Sequence, residues 1–174
     1  MSSNPRLALD TIVRASEQPM FAVVGTLLQF VSIPEQNRAN LSVMRGGIPA
    51  GAVVPLHSHS SPEVFYLIEG QMEVFQDRGA SSGWRPAGVG DVVTVAGGVK
   101  HALRNSGSTL ALTVLISDEQ LYRFFKELAE PLDSASGPPP PTPTVMQKLL
   151  AVAANYKYWI GTPSENAAIG IHLT

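Results

Sequence analysis

His57, His59 and Glu63 fall within seven residues of one another, and a third histidine, His101, follows a Gly97-Gly98 pair further along the chain. In an extended segment successive side chains alternate faces, so His57 and His59 point the same way while Ser58 points away. Two imidazoles on one face, with a carboxylate a short turn later, are three donors of the nitrogen and oxygen type that divalent transition metals take. The scaffold would need to bring His101 to them as a fourth. Three neutral imidazoles and one carboxylate carry a net charge of about -1, compatible with Fe, Mn, Co, Ni, Cu or Zn. The donor types do not choose among these metals. The bland alternative is a set of ordinary polar residues on a solvated strand. A lone histidine would favour it; four chemically competent donors favour a metal. His172 stands apart from the cluster and is expected to face solvent.

The elements that must position these donors read mostly as strands. Runs over 21–24 and 26–32 are separated by Gly25, and 41–46 is a strand expected to stop at Gly46-Gly47 and Pro49. The continuous apolar run 64–68 reads as a buried strand, with 72–75 as its hairpin partner and 78–83 as a turn. Runs over 92–95, 101–105 and 110–116 complete a series of short strands with glycine-rich turns, which argues for an all-β sandwich or barrel. A short strand or arm is expected around 7–13, and 34–40 is polar and reads as a loop. From Ser117 the pattern changes. Ser117 and Gln120 form a capping-box signature, and Leu121, Phe124, Phe125 and Leu128 recur at helical spacing up to Pro131. A proline-rich spacer precedes Thr142-Pro143, an N-cap and first residue for a second helix whose apolar side runs through Val145, Leu149, Val152, Tyr156 and Trp159. Both helices are too short to persist alone and need apolar cover.

Composition bounds the rest. The chain has 174 residues, 44% hydrophobic and 15% charged, which suits one globular domain with a small appendage. A net charge of -2 leaves no electrostatic footprint for nucleic acid, and no apolar run is long enough to span a bilayer. The absence of cysteine excludes disulfides and thiolate ligands. The first residues show no basic segment followed by an apolar one, so the cytoplasm is the expected compartment.

Gly51, His57, His59, Glu63 and Gly70 have the spacing G-x5-H-x-H-x3-E-x6-G, and Gly90, Gly98, His101 and Asn105 fit G-x5-P-x-G-x2-H-x3-N, with Ala96 in place of the proline. Together these segments, 51–70 and 90–105, resemble the two motifs of the cupin superfamily. The resemblance implies a double-stranded β-helix (jelly-roll) barrel over 1–117, followed by a helical extension over 118–160 with a proline-rich linker at 131–143, and a tail at 161–174. It implies one divalent transition metal held by His57, His59, Glu63 and His101, and pairing of two copies as a homodimer. Losing the proline at Ala96 removes no ligand and bears only on the rigidity of the turn. Asn105 and the motif glycines are read as structural. Alternation from the ligands adds Phe65, Leu67 and Leu103 as lining for a substrate pocket, with Met44, Phe75, Thr113 and Leu115 as further candidates. Arg45 is expected on the barrel exterior.

Within the superfamily the chain is most similar to small single-domain cupins like quercetin 2,3-dioxygenase. That similarity implies a dioxygenase acting on a small aromatic, flavonol-like or enolisable substrate, with Glu63 as ligand or catalytic base. Two other classes fit the same motifs: an oxygen-independent isomerase, lyase or decarboxylase of a sugar or organic acid, and a binding cupin with no catalytic activity. In each case the partner is a small molecule, without nucleic acid or membrane.

Overall fold

The computed structural model describes residues 12–132 and 137–173. The β-branched and aromatic runs form β1 (Phe21–Val23), β2 (Thr26–Ser32), β3 (Ser42–Ile48), β4 (Val53–Ser58), β5 (Glu63–Glu69), β6 (Gln71–Gln76), β7 (Gly83–Gly88), β8 (Val92–Val95), β9 (His101–Arg104) and β10 (Ala111–Ser117). One helical turn, α1 (Pro34–Asn37), sits between β2 and β3. Then follow α2 (Glu119–Leu128), β11 (Glu130–Pro131), α3 (Pro143–Asn155), β12 (Trp159–Ile160) and α4 (Pro163–Ala168). Among the described residues the larger sheet has the order β11-β1-β2-β3-β10-β5-β8 and the smaller β12-β4-β9-β6-β7, with every pairing antiparallel. The two sheets close into a jelly roll. Its core is built from inward positions of both, Met44, Phe65, Leu67 and Leu115 from one and Met72, Val74 and Leu103 from the other. Along β6, and along β10 from Thr113 onward, buried and less buried positions alternate, as strands with one face on a core must.

Several expectations change. The run 72–75 is not the hairpin partner of 64–68: β5 pairs with β10 and β8, while β6 pairs with β7 and β9 in the other sheet. Gly70, at φ +71°, turns the chain from one sheet to the other. An apolar run carries no information about which sheet it joins, so adjacency in sequence misled. Strand β3 runs through Gly46-Gly47 to Ile48 because both glycines are held in the ladder against β2 and β10. A Cβ on Gly47 would stand 3.2 Å from Leu27, so the small residue admits a close neighbour there and does not end the strand. Residues 34–37 form a helical turn within the expected loop. The arm expected over 7–13 falls largely outside the described residues, and so does 133–136 of the proline-rich spacer.

The extension is more ordered than the sequence suggested. The N-cap of α2 is Asp118, whose carboxylate accepts from the Leu121 N–H. Ser117 instead ends β10 and donates its hydroxyl proton to the Pro62 carbonyl. Thr142 caps α3 as expected. A third helix, α4, begins with a full capping box between Thr162 and Glu165, so among the described residues three helices follow the barrel and the tail is a packed element. Asn166 is buried and binds that tail to the barrel: its Oδ1 accepts from the Leu56 N–H, and its Nδ2 donates to the carbonyls of Gly161 and Thr162. Among the described residues no helix is long and apolar enough to cross a membrane.

At Gly70 an added Cβ would lie 2.3 Å from the Leu110 carbonyl oxygen, whereas at Gly90, φ +91°, it would meet nothing within 4 Å. Gly70→Ala is therefore expected to lower stability by about 2–4 kcal/mol, against about 1 kcal/mol for Gly90→Ala. Urea unfolding of both variants checks this, and equal losses would contradict the corner assigned to Gly70.

Candidate metal centre

The site is assembled where β4 lies beside β9. His57 and His101 are Cα partners across that ladder, so the same face carries both imidazoles, with ring centroids 4.1 Å apart. A register shift in β4 between Val54 and His57 turns His57 inward after Pro55. His59 follows the end of β4, and Glu63 opens β5 in the opposite sheet. The loop between them is held by the turn at Gly97-Gly98: the Gly98 N–H donates to the His59 carbonyl at 2.7 Å. A Cβ on Gly97 would collide with the Ser60 carbonyl oxygen, so this approach requires glycine. The turn that lacks the proline at Ala96 is thus braced by the loop it packs on. Asn105 has the structural role expected of it, donating to the carbonyls of Ile48 and Thr109 and accepting from the Gly107 N–H.

The donor atoms of His57, His59, Glu63 and His101 all lie within 4.8 Å of one another, and all but His57 are buried. Each imidazole hydrogen-bonds a main-chain carbonyl through Nδ1: His57 to Pro55 at 2.8 Å, His59 to Ser61 at 2.9 Å, His101 to Val99 at 2.9 Å. A carbonyl only accepts, so Nδ1 carries a proton in all three rings and Nε2 is the atom left for the site. The Nε2 of His101 bonds Glu63 Oε2 at 2.8 Å. The Nε2 of His59 is 3.5 Å from the same oxygen and is buried without a hydrogen-bond partner. An unpartnered buried ring nitrogen, in a set of three imidazoles and one carboxylate, is what a divalent cation would satisfy. These residues fit the metal that the motifs imply.

Electrostatics agree. Burial acts to raise the Glu63 pKa, but the His101 hydrogen bond and the neighbouring His59 outweigh it and hold the carboxyl well below its usual range. Burial acts to lower that of His101, yet Glu63 carries it above its usual value. Burial, with the His101 charge beside it, pushes His57 down to about 3. Without a cation, the pair therefore rests as an imidazolium donating to a carboxylate, with His57 neutral.

Beside these donors a cavity of about 130 Å³ opens between the barrel and the helical extension. His57, Glu63, Phe65, Leu103, Thr113 and Leu115 line its barrel end. Met44 and Leu67 are fully buried in the core but are absent from its walls. Phe75 belongs to a different cluster, packed on Trp84 and lying with Leu56 and Ala102. It occupies the face of β6 opposite the inward Val74, so the pocket position suggested for it is corrected. Arg45 bonds Gln29 on the face of β3 opposite Met44. His172 is exposed, as expected. The remaining walls were not foreseen. They come from the β1–β2 hairpin (Val23, Leu27), from α2 and α3 (Phe124, Leu128, Leu149), and from Tyr158 and Ile160. The alternation Tyr156, Tyr158, Ile160 was a legible strand signal for the last of these.

The cupin domain family model matches residues 44–117, which contain all four donors. The chain therefore contains a cupin domain. No curated protein matches the sequence. Among solved structures the cupin is similar to a predicted oxalate decarboxylase of Thermotoga maritima, with 21% identity and a TM-score of 0.55, over 62% of this chain and 97% of the other. It is similar to the polyketide cyclase RemF of Streptomyces resistomycificus, with 13% identity and a TM-score of 0.56, over 63% and 80%. It also resembles an RmlC-like cupin of Shewanella frigidimarina, with 17% identity and a TM-score of 0.53, over 63% and 91%. Identities this low establish a shared fold and leave the reaction open.

A cation must displace the proton that His101 holds on Nε2. Because Glu63 raises that pKa, the proton persists to higher pH than on a free histidine, and metal affinity should rise with pH until the raised value is passed. Calorimetric titration of Co(II) in buffers of different ionisation enthalpy should show about one proton released per metal. Affinity that is flat or falls with pH would contradict the assignment. His59→Ala should weaken binding at least the roughly 100-fold that loss of an outer hydrogen-bond partner can cause.

Proposed function

We propose that this cupin is a metal-dependent enzyme acting on a small, mainly apolar substrate, aromatic or enolisable, and that the reaction is a dioxygenation. The observation that carries the reading is the cavity. Its walls are mainly apolar, it ends on His57 and Glu63, and among the described residues that line it there is no lysine or arginine. A sugar or a small dicarboxylate would want several polar or cationic groups facing it, whereas a ring or acyl chain with one reactive oxygen matches these walls.

A divalent cation at the site would supply Lewis acidity toward a substrate oxygen and, where it is redox-active, an electron path between substrate and dioxygen. The chain's own residues do the rest. Val23, Leu28, Phe124 and Leu128 exclude water from the barrel mouth, which strengthens every polar interaction within it. The three Nδ1–H bonds hold the imidazoles in one orientation, so substrate need not reorganise them. Glu63 lines the cavity and, held ionised by its neighbours, can accept a proton from a substrate hydroxyl or an activated C–H at its carboxylate.

An oxygen electrode with metal-reconstituted protein and a panel of flavonols, catechols and β-diketones tests the reading. Uptake is expected with at least one class, falling about 10²–10⁴-fold in Glu63→Gln. No uptake from protein shown to hold metal would exclude dioxygenation. Turnover of the same panel without oxygen would instead identify an isomerase or lyase.

A further inference from the structure

Gly46 holds an inward position of β3, midway between the core residues Met44 and Ile48. It is the Cα partner of Leu28 in β2 and of Thr113 in β10, and all three residues line the cavity. Neither the backbone nor the packing asks for glycine there. Its φ is negative, unlike those of Gly70 and Gly90, and the β3–β10 ladder passes through it without a register shift. An added Cβ would stand 3.4 Å from Thr113 Oγ1, 3.9 Å from Leu28 Cδ1 and 4.0 Å from the Leu27 carbonyl oxygen, all ordinary contacts. Gly47 differs, since its Cβ would press on Leu27 at 3.2 Å. Glycine inside a strand weakens it, and one that no bulge or close neighbour requires marks a place where a ligand approaches the backbone. The Cβ of residue 46 would project among side chains of the cavity wall, so the space it leaves belongs to the cavity.

The partner of Thr113 in β5 is Leu67, which places the Gly46 row about 13 Å further along the strands than Glu63. The cavity thus has one end at His57 and Glu63 and a remote, apolar end floored by Gly46. We propose that Gly46 determines specificity in this site: its missing side chain makes room for the apolar end of an elongated ligand whose oxygen-bearing end lies at the metal donors. The inference rests on the metal-dependent reading above and adds a length requirement to it. Ligands with a ring or chain beyond the reactive oxygens are favoured over the bare oxygen-bearing unit, and a side chain at position 46 would shorten the cavity against them.

The test compares the full chain with Gly46→Ala and Gly46→Val, each reconstituted with Co(II). The probes are three β-diketones of increasing length: acetylacetone, benzoylacetone and the para-phenyl derivative of benzoylacetone. Cobalt content, thermal midpoint and the Kd of each probe are read. In the wild type, Kd should fall about tenfold from the shortest probe to the longest as apolar surface is buried. Cobalt content should be equal in the three proteins, and Gly46→Ala should keep or raise the midpoint, because alanine restricts the unfolded chain. Gly46→Val should raise the Kd of the longest probe about tenfold and leave acetylacetone within about twofold, with Gly46→Ala between. No loss in Gly46→Val, or equal losses for all three probes, would overturn the proposal and leave the metal-dependent reading intact. A lowered midpoint in Gly46→Ala would make the glycine structural and overturn it as well. Wild-type protein that holds cobalt but binds the longest probe no better than acetylacetone would refute the length requirement. Failure of the wild type to take up cobalt would defeat the underlying reading, and this proposal with it.

Discussion

Each imidazole of the site gives its Nδ1 proton to a main-chain carbonyl two residues away, and the chemistry open to this molecule depends on those three bonds. They settle the tautomer, so that Nε2 faces the centre in all three rings, and they take away the rotation that would let a ring turn aside. The backbone must therefore be held as accurately as the side chains. For His57 this is done by the shift in β4 after Val54, and for His101 by its place opposite His57 in the β4–β9 ladder. For His59 it is done by the Gly97-Gly98 turn that receives its carbonyl. Glu63 comes from the other sheet, so its bond to His101 also joins the two halves of the barrel at the site.

The barrel supplies donors and the extension supplies an enclosure. Phe124, Leu128 and Leu149 would be exposed on an isolated helix pair; here they are buried, each contributing about 1.5–3 kcal/mol when fully covered. The α4 tail, bound through Asn166 to the Leu56 backbone, fixes β12 against β4 next to His57. One set of contacts thus stabilises the C-terminal segment and forms the cavity wall. The superfamily match ends at residue 117, before any of this wall.

Much of the site was legible in the sequence because ligand spacing is a local property. His57 and His59 share a face by simple alternation, and the second motif delivers His101 after a glycine turn. The barrel was legible for the same reason, from short runs with glycine between them. What was not legible depended on pairing across the chain. Nothing in the residues of β6 says that it crosses to the other sheet, and Gly46-Gly47 reads as a break unless Leu27 is known to press on it. Phe75 and Val74 are equally apolar, and only the register with β9 and β7 shows which one faces inward. Tyr158 and Ile160 alternate as a strand would, but nothing in the residues says that this segment, which follows α3 after a proline-rich spacer, returns to line the cavity. The Thr162–Glu165 capping box was a missed local signal.

X-ray absorption at the metal edge tests the central claim most directly, on protein purified without a histidine tag and reconstituted with one divalent metal per chain. The account predicts a first shell of nitrogen and oxygen at about 2.0–2.2 Å, with the outer-shell scattering of three imidazoles in the wild type and of two in His59→Ala. A shell without imidazole scattering, or one unchanged by His59→Ala, would contradict it.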